Sequence, residues 1–315
     1  MTFDEEPAIH YEADEIDLDL VRKHFRDVRT LRQRDLETLR LITSSGGRVA
    51  PTKGGILLFG HHRREEFPDA RLRMARFEGS ERSRIVDRKE AETDLIAAVD
   101  EAVSFVERHT RTGMEIEGSR RRDRPEYPPV AIREAIVNAV AHADYSQTGS
   151  PIRLAVFDDR LEIENPGLLP FGLTIEDVMD GVSKLRNRVI GRVFHELGLI
   201  EQWGSGVQRM LSSCRSAGLG DPEFEEVGTH FRVTFRAGKT PISHELTGTP
   251  GRIIQTLRDS GPLSTTKLAD ALGLTPRAVR THLGRLSDDG LVVELSQGPH
   301  DPHKTWVVSA RRHRS

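Results

Sequence analysis

The chain has 315 residues, of which 36% are hydrophobic and 30% are charged, a composition that supports two or three ordinary cores under a highly charged surface. No apolar run approaches the roughly 20 residues that a membrane helix needs, and the acidic N-terminus lacks the apolar core of a signal peptide. Cys214 is the single cysteine, which excludes an internal disulfide and any multi-cysteine zinc site. We therefore expect a soluble cytoplasmic protein with no membrane partner.

The net charge of −3 is unevenly distributed. Residues 251–315 carry ten lysines and arginines against six acidic residues, a formal charge of +4, which leaves −7 for the rest of the chain. A basic C-terminal part on an acidic body indicates an anionic partner at that end.

The first half of the chain is predicted to be an acidic arm followed by an α/β segment. Residues 1–16 are acidic and lack periodicity, so we expect a flexible arm. Residues 17–118 form the N-terminal α/β segment, with a helix over Leu18–Leu41, a strand over Arg71–Phe77 and an amphipathic helix over Glu90–His109. Ser119 then opens a charged, proline-containing stretch that we expect to be a surface connection.

Residues 119–238 are predicted to form a central α/β domain. The pattern gives a helix, a hairpin, two helices and a final strand, over Val130–Ala143, Ile152–Ile163, Asn187–Leu197, Val207–Ala217 and Phe231–Phe235. Residues 239–250, which include Gly, Pro, Ser and Thr, are interpreted as a linker.

Residues 251–310 are predicted to form a winged helix-turn-helix. A first helix from Gly251 and a second over Thr265–Leu272 precede a turn, and Pro276 begins a third helix after the N-cap Thr275. Two strands follow, with a wing between Ser296 and Lys304. This order resembles the winged helix-turn-helix of bacterial transcription regulators.

The third helix has the pattern of a DNA-reading helix. Val279, Leu283 and Leu286 share an apolar face, which places Arg277 and Arg280 on the opposite side, where they can reach base edges and phosphates. A winged helix used only for protein contacts is the alternative. The candidate DNA-binding residues are Lys267, Arg277, Arg280, Thr281, Arg285 and Lys304.

The segment REAIVNAVAHADY carries the candidate chemistry of the central domain. Glu134, Asn138 and His142 recur every fourth residue, so they lie along one helix face. Gly204 and Gly206 precede another helix, whose N-terminal amides suit phosphates. A solvated helix face is the alternative for the first group, a hydrogen-bonded core position is the alternative for His142, and an ordinary loop is the alternative for the glycines.

Four segments in order resemble the RecG-related family of transcriptional regulators, whose core is a divergent ATPase module of the GHKL class that includes gyrase and Hsp90. They are ARFEGSERSRIVDRKE, REAIVNAVAHADY, RLEIENPGLLP and SKLRNRVIGRVFHELGLIEQWGSGVQRM. The resemblance covers about residues 15–240. Many members also carry an N-terminal Schlafen-like domain, for which we expect no counterpart here.

The resemblance implies a nucleotide site that holds ATP and Mg²⁺. Asn138 corresponds to the Mg²⁺ ligand, and Glu134 corresponds to the carboxylate that activates water. Asn165 and Gly167 occupy the adenine box, and Gly204 and Gly206 occupy the phosphate box. His142 completes the nucleotide-binding candidates. The adenine box departs from the family pattern, since Asn165 replaces an aspartate and Leu169 replaces a glycine.

The sequence contains no helicase phosphate loop. The tempting match, Gly238-Lys239-Thr240, would need a glycine where Val233 stands. His61, His62, His300 and His303 are interpreted as surface residues, because no further ligand types cluster near them in the sequence.

The sequence therefore predicts an α/β fold with a GHKL-like α/β sandwich core, the N-terminal α/β segment and a C-terminal winged helix. The predicted function is a homodimeric transcriptional regulator that binds double-stranded DNA, with the ATP-binding domain as sensor or dimerisation platform. An active, weak Mg²⁺-dependent ATPase and a nucleotide-free scaffold remain as alternatives.

Overall fold

The computed structural model describes residues 1–110, 112–117, 120–200, 205–237, 249–288, 292–295 and 304–308. The chain divides into two compact units, Met1–Gly238 and Lys239–Ser315. Among the described residues, no helix has the length and apolar character needed to span a membrane.

The first unit is a mixed α/β structure. Its helices are α1 (Leu18–Phe25), α2 (Gln33–Thr38), α3 (Lys53–Phe59), α4 (Arg63–Glu66), α5 (Leu95–His109), α6 (Pro129–His142), α7 (Ile175–Met179), α8 (Arg188–Glu196) and α9 (Gly206–Ser216). Its strands are β1 (Ile42–Ser45), β2 (Arg48–Pro51), β3 (Leu72–Phe77), β4 (Ile85–Glu90), β5 (Thr112–Glu117), β6 (Arg120–Pro125), β7 (Ile152–Val156), β8 (Arg160–Pro166), β9 (Glu223–Val227) and β10 (His230–Arg236).

A six-stranded mixed sheet organises this unit, in the order β4-β3-β7-β8-β10-β9. The pair β3–β7 is parallel, and the other neighbouring pairs are antiparallel. Strands from both sides of residue 118 share the sheet, so the predicted boundary at 118/119 does not separate two compact bodies. Arg120–Pro125 pairs with β5, so the expected surface connection contains a strand.

One face of the sheet is covered by helices because its alternate residues are apolar. Leu72, Leu154 and Ile163 are buried on that face. Helix α5 contacts β3 and β7, and α6 contacts β8 and lies against both α5 and α9. Three alanines of α6, Ala131, Ala135 and Ala139, are buried, which allows the neighbouring helices to approach closely.

The expectation of a flexible arm over residues 1–16 is wrong, because this segment packs against the rest of the first unit. Asp4 is fully buried, and its carboxylate accepts hydrogen bonds from the backbone N–H groups of Arg188 (3.0 Å), Val189 (2.6 Å) and Ile190 (3.1 Å) at the start of α8. These amides have no partner inside their own helix, and an acidic side chain also complements the positive end of the helix dipole.

The described part of the second unit is a winged helix-turn-helix. It consists of α10 (Thr249–Ser260), α11 (Thr265–Leu272), α12 (Pro276–Asp288), β11 (Val292–Leu295) and β12 (Thr305–Val308). The Ser264 side chain caps α11, and Gly273 ends it in the left-handed conformation, with φ of +69°. Strands β11 and β12 are antiparallel. The core is formed by Ile253, Ile254, Leu257, Leu268, Leu272, Val279, Leu283, Leu286, Val292 and Trp306.

Candidate functional site

A cavity of about 440 Å³ lies in the first unit between α6, β8, α8 and α9. Glu134, Asn138 and His142 all line it from α6, as their four-residue spacing predicts. Asn165, Gly167 and Gly206 line it as well. The volume lies within the range of about 300–1,000 Å³ that is typical of small-molecule sites. Gly204 lies outside the described residues.

Gly206 brings the start of α9 against α6. A Cβ atom at this position would lie 2.5 Å from Glu134 Oε2 and 3.6 Å from Asn138 Nδ2. No side chain fits at the first of these distances, so the glycine is what allows the helix N-terminus to approach Glu134 and Asn138. Sequence reasoning predicted all three residues, and the structure places them together.

Glu134 is buried and forms an ion pair with Arg209 of α9. Removing a carboxylate from water is unfavourable unless a partner compensates, and the guanidinium supplies that compensation. Sequence reasoning missed Arg209, since the two partners lie 75 positions apart in the chain. Its place three residues after Gly206, inside the quoted motif, was the available signal.

Gly167 closes the end of the cavity beyond β8. Its φ is +100°, which favours glycine, and a Cβ there would lie 2.8 Å from the Asp144 Cβ and 3.3 Å from the Arg186 Cζ. Asn165 is buried and donates from Nδ2 to the carbonyl oxygen of Pro166 at 3.1 Å. Its carboxamide oxygen is the remaining polar atom of that side chain.

The ionisable groups of the cavity wall favour an anion. Burial, together with the nearby positive charge of Arg186, lowers the pKa of His142 to about 4, so the imidazole is neutral at neutral pH. Glu134 is the one carboxylate among the described lining residues, against four cations, which are Lys184, Arg186, Arg188 and Arg192. These four lie in the SKLRNRVIGRVFHELGLIEQWGSGVQRM motif, but sequence reasoning assigned none of them to the site.

Two of these cations bind the chain segment that follows β8. Lys184 Nζ donates to the carbonyl oxygen of Phe171 at 3.3 Å, and Arg186 donates to the carbonyl oxygen of Leu168. The rest of the wall is largely apolar and can contact a flat ring; it includes Ile163, Val178, Leu185, Ile200, Phe224 and Phe231.

No group of three or more His, Cys, Asp or Glu side chains with the spacing of a metal site occurs in the described part of the chain. A cation in this cavity would therefore need oxygen ligands from elsewhere. Mg²⁺ is commonly bound in this way, through one or two protein groups together with phosphate oxygens and water.

Helix α12 in the second unit has a buried apolar side and an exposed polar side, as predicted. Val279, Leu283 and Leu286 are buried, while Arg277, Arg280 and Thr281 are exposed, as is Lys267 on α11. Lys304 pairs with Glu294 at 3.0 Å, so part of its charge is neutralised within the hairpin. The side chain of Arg285 and residues 296–303 of the predicted wing lie outside the described part of the chain.

Two family profiles match the sequence. Residues 149–235 match the family described as "Putative ATP-dependent DNA helicase recG C-terminal". Residues 246–293 match the family described as "Winged helix-turn-helix DNA-binding". No curated protein sequence matches the chain.

Solved structures show the same fold. One of them is the DIP2311 protein from Corynebacterium diphtheriae, with a TM-score of 0.62 and 20% sequence identity. The match covers 98% of this chain and 64% of that protein, so the chain spans less than two thirds of its length. The chain thus joins a domain similar to the RecG C-terminal ATPase-like family to a winged helix-turn-helix domain, in the order that its motifs indicated.

Proposed function

We propose that the protein is a DNA-binding transcriptional regulator in which the cavity of the first unit binds ATP as a signal. The DNA-binding part of this proposal rests on the different character of the two sides of helix α12. Its apolar side is buried, and Arg277 and Arg280 project from the other side of a helix in a winged helix-turn-helix domain. Such a helix enters the major groove, where arginine reads guanine edges and contacts phosphates.

The experiment is a gel-shift titration of duplex DNA at fixed salt with the Arg277→Ala/Arg280→Ala variant. Each lost contact is expected to weaken binding by about 1–3 kcal/mol. Arg26→Ala/Arg215→Ala is the matched control, since it removes the same charge from exposed positions of the first unit, 73% and 63% exposed. Unchanged affinity of the α12 variant, or an equal loss in the control, refutes the assignment.

The residues of the cavity fit ATP with Mg²⁺. The volume is suitable, the described lining residues carry more cations than acids, and Gly206 allows the start of α9 to lie close to Asn138. The side-chain oxygen of Asn138 would hold Mg²⁺ and Asn165 would face the base, while the N-terminal amides of α9 would face phosphates. When bound, the metal neutralises phosphate charge.

Hydrolysis of the nucleotide is the second candidate function. Glu134 lies one helical turn from Asn138 and beside Gly206, where its carboxylate can accept a proton from water. The proposal includes no helicase activity, because the sequence has no phosphate loop of the helicase type.

A further inference from the structure

The ion pair between Glu134 and Arg209 lies where α6 meets the start of α9. Glu134 keeps 10% of its side-chain surface exposed and Arg209 keeps 38%. Arg209 follows Gly206 by three residues in α9, so both lie on the same side of that helix. The guanidinium is therefore close to the helix N-terminus as well as to the carboxylate.

The second oxygen of Glu134 faces Gly206, and a Cβ on that glycine would lie only 2.5 Å from it. A phosphate group at the start of α9 would therefore lie next to a buried carboxylate. Two anions at such a distance repel each other, and the repulsion is stronger where water is largely excluded. Both can occupy this corner only if a cation lies between them.

We propose that Arg209 bridges the Glu134 carboxylate and the terminal phosphate of the bound nucleotide. This inference rests on the proposed ATP binding. A guanidinium has five N–H donors in a planar fork, so one edge can hold a carboxylate while another donates to phosphate oxygens. Arg209 is thus a phosphate-binding residue that also positions Glu134 beside the phosphate.

Because only ATP has the terminal phosphate, loss of the bridge is expected to weaken ATP binding more than ADP binding. Arg209→Met removes the cation, so MgATP affinity falls by about tenfold or more, the range for a hydrogen bond to a charged group. MgADP lacks the terminal phosphate and its affinity falls less. Arg209→Lys keeps the charge without the fork and restores part of the ATP affinity. Glu134→Gln in the Arg209→Met background removes the repelling carboxylate, so it recovers the part of the lost affinity that is due to repulsion.

The test is calorimetric titration of the full chain with MgATP and MgADP. The series is wild type, Arg209→Met, Arg209→Lys, Glu134→Gln, the Glu134→Gln/Arg209→Met double variant and Arg215→Met. Arg215 is the matched control, because it also lies on α9 but pairs at 2.6 Å with Asp221, which is not a lining residue, whereas Arg209 pairs with Glu134, which lines the cavity. It should bind both nucleotides as wild type does. Thermal unfolding verifies that each variant is folded. If Arg209→Met is unfolded, the nucleotide affinities of Arg209→Lys and of the double variant are compared with those of the wild type instead.

Wild-type MgATP affinity in Arg209→Met overturns the bridge and leaves the proposed ATP binding intact. An equal loss of both nucleotides, without recovery in the double variant, is the result for a purely structural ion pair and also overturns it. Absence of heat for the wild type at millimolar MgATP refutes the proposed ATP binding, and the bridge with it.

Discussion

Asn138 and Glu134 lie one helical turn apart and line the same cavity, but their proposed roles separate on mutation. Asn138→Ala removes the side-chain oxygen for Mg²⁺, so Mg²⁺-dependent ATP binding is expected to be lost. Glu134→Gln cannot accept a proton, so binding is retained and hydrolysis is lost. Calorimetry measures the first effect, and phosphate release under single-turnover conditions measures the second.

Arg133→Gln is a suitable control for this pair of variants. Arg133 also lies on α6, but it pairs with Asp100 at 2.8 Å and is not among the lining residues of the cavity. The separation of roles is refuted if Asn138→Ala and Glu134→Gln have the same phenotype, or if neither changes nucleotide binding.

His142 makes the stability of the first unit dependent on pH. Its pKa is lowered from 6.5 to about 4 by burial and by Arg186, so the folded state resists a proton that the unfolded chain accepts. The contribution of the neutral His142 imidazole to the free energy of unfolding is complete above pH 6.5 and is lost as the pH falls towards 4. Each unit of pKa difference equals about 1.4 kcal/mol, so we expect roughly 1–2 kcal/mol between pH 7 and pH 5.

His142→Gln removes this titration while keeping a polar side chain of similar length. Urea unfolding at pH 7 and pH 5 measures the effect, and the variant should lose less free energy of unfolding between the two pH values than the wild type loses. An identical loss in both proteins means that His142 is not held neutral.

At the scale of elements, the contact between Asp4 and α8 links the N-terminal segment to the cavity, since α8 supplies Gly191, Arg192 and His195 to the cavity wall. Asp4→Asn replaces one acceptor oxygen with a donor that faces backbone N–H groups. A buried donor without a partner costs about 1–3 kcal/mol. We expect that loss in chemical denaturation and a weaker response to ATP in a thermal-shift assay.

Asp14→Asn is the matched control for this prediction, because Asp14 is exposed in the same N-terminal segment. It should leave the free energy of unfolding near that of the wild type. Equal stability of the two variants would contradict a role for Asp4 in anchoring α8.

Helices with periodic apolar positions and clear capping residues were predicted from the sequence. Elements that depend on contacts between distant parts of the chain were missed. Helix α6 and helices α11 and α12 follow periodic apolar positions, with Ser264 and Pro276 marking the helix starts. Strands β4 and β9 were missed because edge strands carry charged residues and lack clear alternation. The break between α1 and α2 inside the predicted Leu18–Leu41 helix was missed as well.

The residues of the candidate site were also predicted only where the local sequence carries a pattern. Glu134, Asn138 and Gly206 were predicted from helical spacing and the quoted motifs, and they meet in the cavity. Arg209 and the cations of the 184–192 segment were missed, since only folding brings α8 and α9 against α6. Asp4 was missed for a similar reason, because an acidic N-terminus indicates disorder unless its distant partner, the start of α8, is known.

At the scale of the whole molecule, we propose a homodimer. One winged helix contacts too little DNA for selective binding, and two-fold readers match palindromic sites. Light scattering at micromolar concentration is expected to give twice the chain mass of 35.4 kDa without DNA, and that mass plus the mass of one duplex with DNA. A monomeric mass under both conditions contradicts the proposal, although it leaves the DNA-reading role of α12 open to its own test.

We propose that ATP binding in the first unit changes the DNA affinity of the same chain. Fluorescence anisotropy of a labelled random-sequence duplex pool, titrated with the full chain at fixed salt with and without MgATP, tests it most directly. We expect MgATP to change the DNA affinity by about fivefold or more, the lower end of typical coupling between sites. The change should be absent in Asn138→Ala, and DNA binding itself should be weakened in Arg277→Ala/Arg280→Ala. Superimposable wild-type curves with and without MgATP would contradict coupling between ATP binding and DNA binding.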